Sequence, residues 1–142
     1  MKEETIIFAV TMLLCLTSFV STSVEIASSY PQPYLRKCQP TSKPSACYGY
    51  SDKGTNIIAV SDALWDNRNA CGRKYRVWCK PVNEVKFQHC TRDFAVDILG
   101  YDVTVVDYCG HCNGFTMLLS QEVFSALTNT EDGVIHVEYN EI

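Results

Sequence analysis

Ala70-Cys71-Gly72-Arg73-Lys74-Tyr75-Arg76-Val77-Trp78-Cys79 decides the fold. From Tyr75 to Cys79 its character alternates with period two, the pattern of a half-buried strand, and a cysteine stands at each end. Working outward, Ile57-Ile58-Ala59-Val60 is a short apolar run bounded by Gly54 and Asp62, and it suits a buried strand. Ser61 or Asp62 caps one helical turn through Trp65. Val103-Thr104-Val105-Val106-Asp107 alternates less strictly, and Val134-Ile135-His136-Val137-Glu138-Tyr139 closes the chain as another strand. One convincing helix interrupts them. Ser120 is its N-cap, Glu122 lies in its first turn, and Leu119, Val123, Phe124 and Leu127 form one apolar face. Many short strands and little helix predict a mainly β fold, a small barrel.

The chain has 142 residues, of which 46% are hydrophobic and 20% charged, with a net charge of −4. That describes one globular domain and excludes a disordered or polyanion-binding chain. At the N-terminus, Lys2 precedes the apolar run Ile6–Leu16, which fades into Ser18-Phe19-Val20-Ser21-Thr22-Ser23. A short apolar core followed by small residues reads as a secretory signal peptide over 1–23. It falls short of the roughly 20 residues that span a bilayer. The domain is then 24–142, with no membrane span. Of the eight cysteines, Cys15 leaves with the signal. The other seven are Cys38, Cys47, Cys71, Cys79, Cys90, Cys109 and Cys112, and an oxidising compartment predicts a disulfide framework with at least one thiol free or paired between chains.

Charge is divided along the chain. Residues 24–92 hold 11 Lys/Arg against 5 Asp/Glu, while 93–142 hold 9 Asp/Glu and neither Lys nor Arg. Either the two halves attract each other within one sheet, or Arg68, Arg73, Lys74, Arg76 and Lys80 form a basic patch for an acidic polymer or receptor. His89, His111 and His136 are scattered, so no metal site is expected, and no nucleic-acid-binding face, phosphate loop or cofactor motif stands out.

Cys109-Gly110-His111-Cys112 has the form of a thiol–disulfide oxidoreductase motif, in which a helix N-terminus and a histidine stabilise a thiolate. Its context differs from a thioredoxin fold. Asn113-Gly114-Phe115 separates it from the helix that Ser120 caps, and no proline follows Pro81 to stand beside the dithiol. The pair reads as a structural clip, with a redox site as the alternative.

Four ordered blocks place the chain near a known family. They are Pro44-Ser45-Ala46-Cys47-Tyr48-Gly49-Tyr50, Asp62-Ala63-Leu64-Trp65-Asp66-Asn67, the 70–79 stretch, and Val105-Val106-Asp107-Tyr108-Cys109. Together with Leu119–Phe124 they resemble the plant natriuretic peptides and the family-45-endoglucanase-like domain-containing proteins, relatives of expansin domain 1 and barwin. The resemblance implies a six-stranded double-psi β-barrel with one or two short helices. It also implies disulfides Cys47–Cys71, Cys79–Cys90 and Cys109–Cys112, leaving Cys38 free or paired between chains. Insertions near Cys38–Lys43 and Phe94–Gly100 depart from the pattern, and the Cys109/Cys112 spacing is shorter than usual.

Inverting hydrolysis needs two carboxylates flanking the bond, one as acid and one as base. In the hydrolytic relatives one Asp lies just ahead of the helix; here the segment is Met117-Leu118-Leu119-Ser120, so Leu118 takes its place. A leucine transfers no proton, and no catalytic residue and no enzyme activity are expected. The companion Asp survives as Asp107, and Ser28 and Tyr30 stand where the groove's early strand has Thr and Tyr. This half-kept groove implies either a polar binding site or a structural carboxylate. Trp65 and Trp78 are either sugar-stacking platforms or core. The resemblance implies a secreted, apoplastic protein acting without catalysis in water and ion homeostasis and in stress or defence, through an unknown cell-surface receptor. A wall-polysaccharide-binding or wall-loosening module is the alternative, and a redox enzyme at Cys109/Cys112 the third.

Overall fold

The computed structural model describes residues 25–29, 44–81, 90, 98–128 and 133–142. The signal segment, Tyr30, Cys38, His89 and most of the two insertions lie outside them. Six strands close into a barrel in the order β1-β5-β2-β4-β3-β6. They are β1 (Glu25–Ser29), β2 (Ile57–Ser61), β3 (Lys74–Cys79), β4 (Tyr101–Gly110), β5 (Met117–Leu119) and β6 (Val134–Glu141). The pairs β1–β5 and β2–β4 are parallel and the other four antiparallel. This is the double-psi β-barrel.

Period two explains the core. Ala27, Ile58, Val60, Tyr75, Val77, Val103, Val105, Met117, Leu119, Ile135 and Val137 are alternate strand residues, and all join one buried cluster. All five residues of β2 are buried, because its outer face is covered as well. Helix α1 (Asp62–Trp65) follows β2 directly and continues into a 3-10 turn, Asp66–Arg68. Helix α2 (Gln121–Leu127) adds Val123, Phe124 and Leu127 to the core. The Ser120 hydroxyl accepts from Val123 N at 3.2 Å and donates to Thr55 O at 2.5 Å, so one side chain caps the helix and ties it to the loop before β2.

The divided charge is resolved inside the sheet. Basic β3 lies between β4 and β6, which carry acids from the second half of the chain. Arg76 makes a two-bond pair with Asp102 at 2.6 and 2.9 Å, Lys80 reaches Glu138 at 2.6 Å, and Arg73 reaches Glu141 at 3.7 Å. These side chains are partly exposed and screened by solvent, so the pairs favour this neighbour order more than they add stability. Bridges join Cys47 to Cys71, Cys79 to Cys90 and Cys109 to Cys112, with Cα separations of 5.5, 5.5 and 5.1 Å.

Candidate functional site

Two strands build the floor of the site. Ser28 on β1 pairs with Leu118 on β5, and their neighbours Ala27, Met117 and Leu119 point into the core, so Ser28 and Leu118 face outward. They line a cleft of about 330 Å³ with Ser29, and Cys109, His111, Cys112, Asn113 and Phe115 supply the rest. Ser28 Oγ donates to Gly133 O at 2.5 Å, which fixes the hydroxyl and leaves its lone pairs available.

The wall is the turn that follows β4. Gly110, Cys112, Asn113 and Gly114 all have positive φ, at 62, 46, 53 and 90°. For the two residues that carry a Cβ this left-handed backbone costs roughly 1–2 kcal/mol each, less for asparagine. Three links hold the turn in place: the Cys109–Cys112 bridge, Gly114 N–H to His111 O at 2.8 Å, and Phe115 N–H to Cys112 O at 3.1 Å.

Asp62, the first residue of α1, organises the rim. Its Oδ1 accepts from the Tyr108 hydroxyl, and its Oδ2 lies 3.0 Å from His111 Nδ1. Trp65, one turn further along α1, stacks on Tyr108 with ring centroids 4.8 Å apart and planes at 23°. The bond to Asp62, then desolvation and the Asp62 charge, raise the Tyr108 hydroxyl above its ordinary pKa of 10. Of this group His111 lines the cleft; Asp62 and Tyr108 connect to it through that contact, and Trp65 packs against the core cluster.

Asp107 does not line this cleft. The register of β4 against β2 shifts between Ile58 and Ala59, where β4 advances from Val105 to Asp107. The extra residue turns the strand locally, and Asp107 Oδ1 accepts from Ala46 N at 2.6 Å while Val106 O accepts from Cys47 N at 3.1 Å. Asp107 is 7% exposed and anchors the Ser45–Gly49 turn that the Cys47–Cys71 bridge also holds. Trp78 is likewise apart from the cleft. Its indole N–H donates to Ile98 O at 3.2 Å, and its ring lies against Gly100. Of the residues singled out from sequence, Ser28 lines the cleft, as do Leu118 and the Cys109–Cys112 bridge, whereas Trp65 stacks on Tyr108 and packs against the core. The reading of the sequence missed His111, Asn113 and Phe115 as lining residues, and the Asp62 carboxylate that links His111 to Tyr108. The clue to Tyr108 and His111 was their place around the Cys109–Cys112 motif. Among the described residues no three His, Cys, Asp or Glu side chains group as metal ligands.

Comparison with known proteins bears on these features. A family model described as lytic transglycolase matches residues 57–139. An EG45-like domain containing protein of Citrus jambhiri is 35% identical over 132 residues, which are 92% of this chain and 91% of that protein. EG45-like domain containing protein 2 of Arabidopsis thaliana is 38% identical over 114 residues, 80% of this chain and 75% of that one. Among solved structures, the apo expansin of Clavibacter michiganensis is similar with a TM-score of 0.58 at 22% identity, over 85% of this chain and 50% of the expansin. A mutant of that expansin in complex with cellohexaose gives a TM-score of 0.58 at 21% identity, over the same shares. This chain thus spans half the length of those expansins, and the likeness to them is one of fold.

Proposed function

The chain belongs to the EG45-like, expansin-related family of β-barrels, and from that premise we propose an extracellular module that binds wall polysaccharide along the Ser28–Leu118 cleft without cleaving it. The observation that carries this reading is the lining of the cleft. It offers hydroxyls, an amide, an imidazole and one apolar ring, and the residues that line it include no carboxylate. Serine and asparagine exchange hydrogen bonds with sugar hydroxyls, and the Phe115 ring offers a flat apolar face. Cleavage by inversion needs an acid and a base on opposite sides of the bond. Leu118 stands on the floor, and Asp107 is spent on Ala46 N. The cellohexaose complex of the Clavibacter expansin makes a β-linked glucan the first ligand to try. Secretion rests on the 1–23 signal reading and agrees with the stapled framework.

The finer role implied by sequence, water and ion homeostasis through a cell-surface receptor, is the second reading. Its support is the segment stapled by Cys47–Cys71, where residues 50–56 are all exposed and Tyr50 is 70% exposed. Retention on cellulose, xyloglucan and pectin separates the two. The wall-binding reading expects retention on at least one polymer, weakened at least fivefold in His111→Ala and Tyr108→Ala, with no new reducing ends. No retention on any of them sinks it and leaves the receptor reading.

A further inference from the structure

The Cys109–Cys112 bridge differs from the other two in what it holds. The partners of Cys47–Cys71 and Cys79–Cys90 lie 24 and 11 residues apart in sequence, whereas those of Cys109–Cys112 lie only 3 apart. Closing so short a segment restricts the unfolded chain least, and by linkage the folded chain gives least protection to that bridge in return. The segment it closes carries its own conformational cost, since Cys112 and Asn113 are held in left-handed backbone. Opening the bridge removes a link that keeps them there. The bridge is also accessible. Both its cysteines line the cleft, Cys109 is half-buried, Cys112 is 7% exposed, and the His111 side chain between them is 97% exposed.

We infer that Cys109–Cys112 is a thiol-exchange site for an extracellular dithiol reductant, and that opening it unfastens the cleft wall and turns off binding. The second half rests on the cleft being the binding site; the first does not. In the exchange, a thiolate of the reductant enters the cleft and attacks Cys109 Sγ. The Cys109–Cys112 bond breaks, a mixed disulfide forms, and Cys112 leaves as a thiolate that takes up a proton. The reductant's second thiolate then attacks its own sulfur in the mixed disulfide and releases Cys109, which is protonated in turn. Two electrons have passed to the bridge, and the reductant departs as a disulfide. Here the motif is the substrate of a dithiol and not the catalyst. The missing helix start and missing proline argue against a catalytic dithiol but not against this role.

Graded dithiothreitol on the secreted protein, followed by thiol trapping and peptide mapping, tests the first half. Cys109–Cys112 should open at a dithiothreitol concentration at least tenfold below either other bridge. Opening together with them, or after them, overturns the proposal. Amide hydrogen exchange gives a readout that needs no ligand. At the concentration that opens this bridge alone, exchange at Gly114 and Phe115, whose amides bond His111 O and Cys112 O, should quicken at least tenfold. Unchanged exchange overturns the unfastening. The Cys109→Ser/Cys112→Ser double variant should bind cellohexaose at least fivefold more weakly than the oxidised protein, and equal binding overturns the gate. If the oxidised protein binds no saccharide, the wall-binding reading fails, while mapping and exchange still decide the redox site.

Discussion

Gly100 lies at φ +72°, and a Cβ built there comes within 2.7 Å of both the Trp78 ring and Arg76 Cγ. Backbone and packing both demand glycine, so Gly100→Ala should lower stability by about 2–4 kcal/mol. The urea midpoint, read at unchanged slope, checks this. Asp107 makes a second case. Asp107→Ala strands the Ala46 amide and should cost about 2–3 kcal/mol, whereas Asp107→Asn keeps an acceptor and should recover most of it. Neither role was legible, because each depends on partners distant in sequence: Ile98 and Gly100 for Trp78, Ala46 for Asp107. At the rim, the raised Tyr108 pKa means that its neutral, donating form is favoured while Asp62 accepts from it. Asp62→Ala should let Tyr108 ionise at lower pH, back toward 10, in an NMR titration of ring-labelled tyrosine. An unmoved titration would remove Asp62 from the account of the rim.

The elements that announce themselves are those with enough length to show a period. Helix α2 shows its cap, its first-turn acid and its apolar face, and the structure keeps all three. Strands β3 and β6 alternate clearly. β1 and β5 do not, since β1 sends only Ala27 into the core and β5 is three residues long. Tertiary pairing makes them strands, and they carry the cleft floor, which is why the site was harder to read than the fold. Ser120→Ala removes both the α2 cap and the donor to Thr55 O, and should cost about 1–2 kcal/mol in denaturant unfolding. The β3–β4 pairing predicts a pH dependence. The hydrogen bond from Arg76, ahead of its charge, holds Asp102 below its ordinary 3.8. A depressed carboxyl pKa lends stability that is complete above the unfolded value and drains as pH falls below it. Wild type and Arg76→Gln should therefore differ slightly in stability at neutral pH and converge below about 3.8. A gap that persists in acid would assign the difference to packing of the arginine stem.

For the whole molecule, alternation and the split of charge carry most of the fold. A basic strand inserted between two acidic ones satisfies both the hydrophobic and the electrostatic pattern of the sequence. The cleft follows from closure of the barrel, which brings Ser28 and Leu118 into register from opposite ends of the chain and sets the 110–114 turn beside them. A site assembled that way has no local signature beyond its cysteines. The barrel thus presents a cleft of mixed polar and apolar lining, with Leu118 on its floor and Asp107 outside it, bonded to Ala46 N. Binding without cleavage is the central claim. Its most direct test is an amide NMR titration of the oxidised protein with cellohexaose, followed by analysis of the sugar for products. The account predicts saturable shifts concentrated at Ser28, Ser29, His111, Asn113 and Phe115, with the hexasaccharide recovered intact. Shifts elsewhere on the barrel, or shorter sugars in the product, would contradict it.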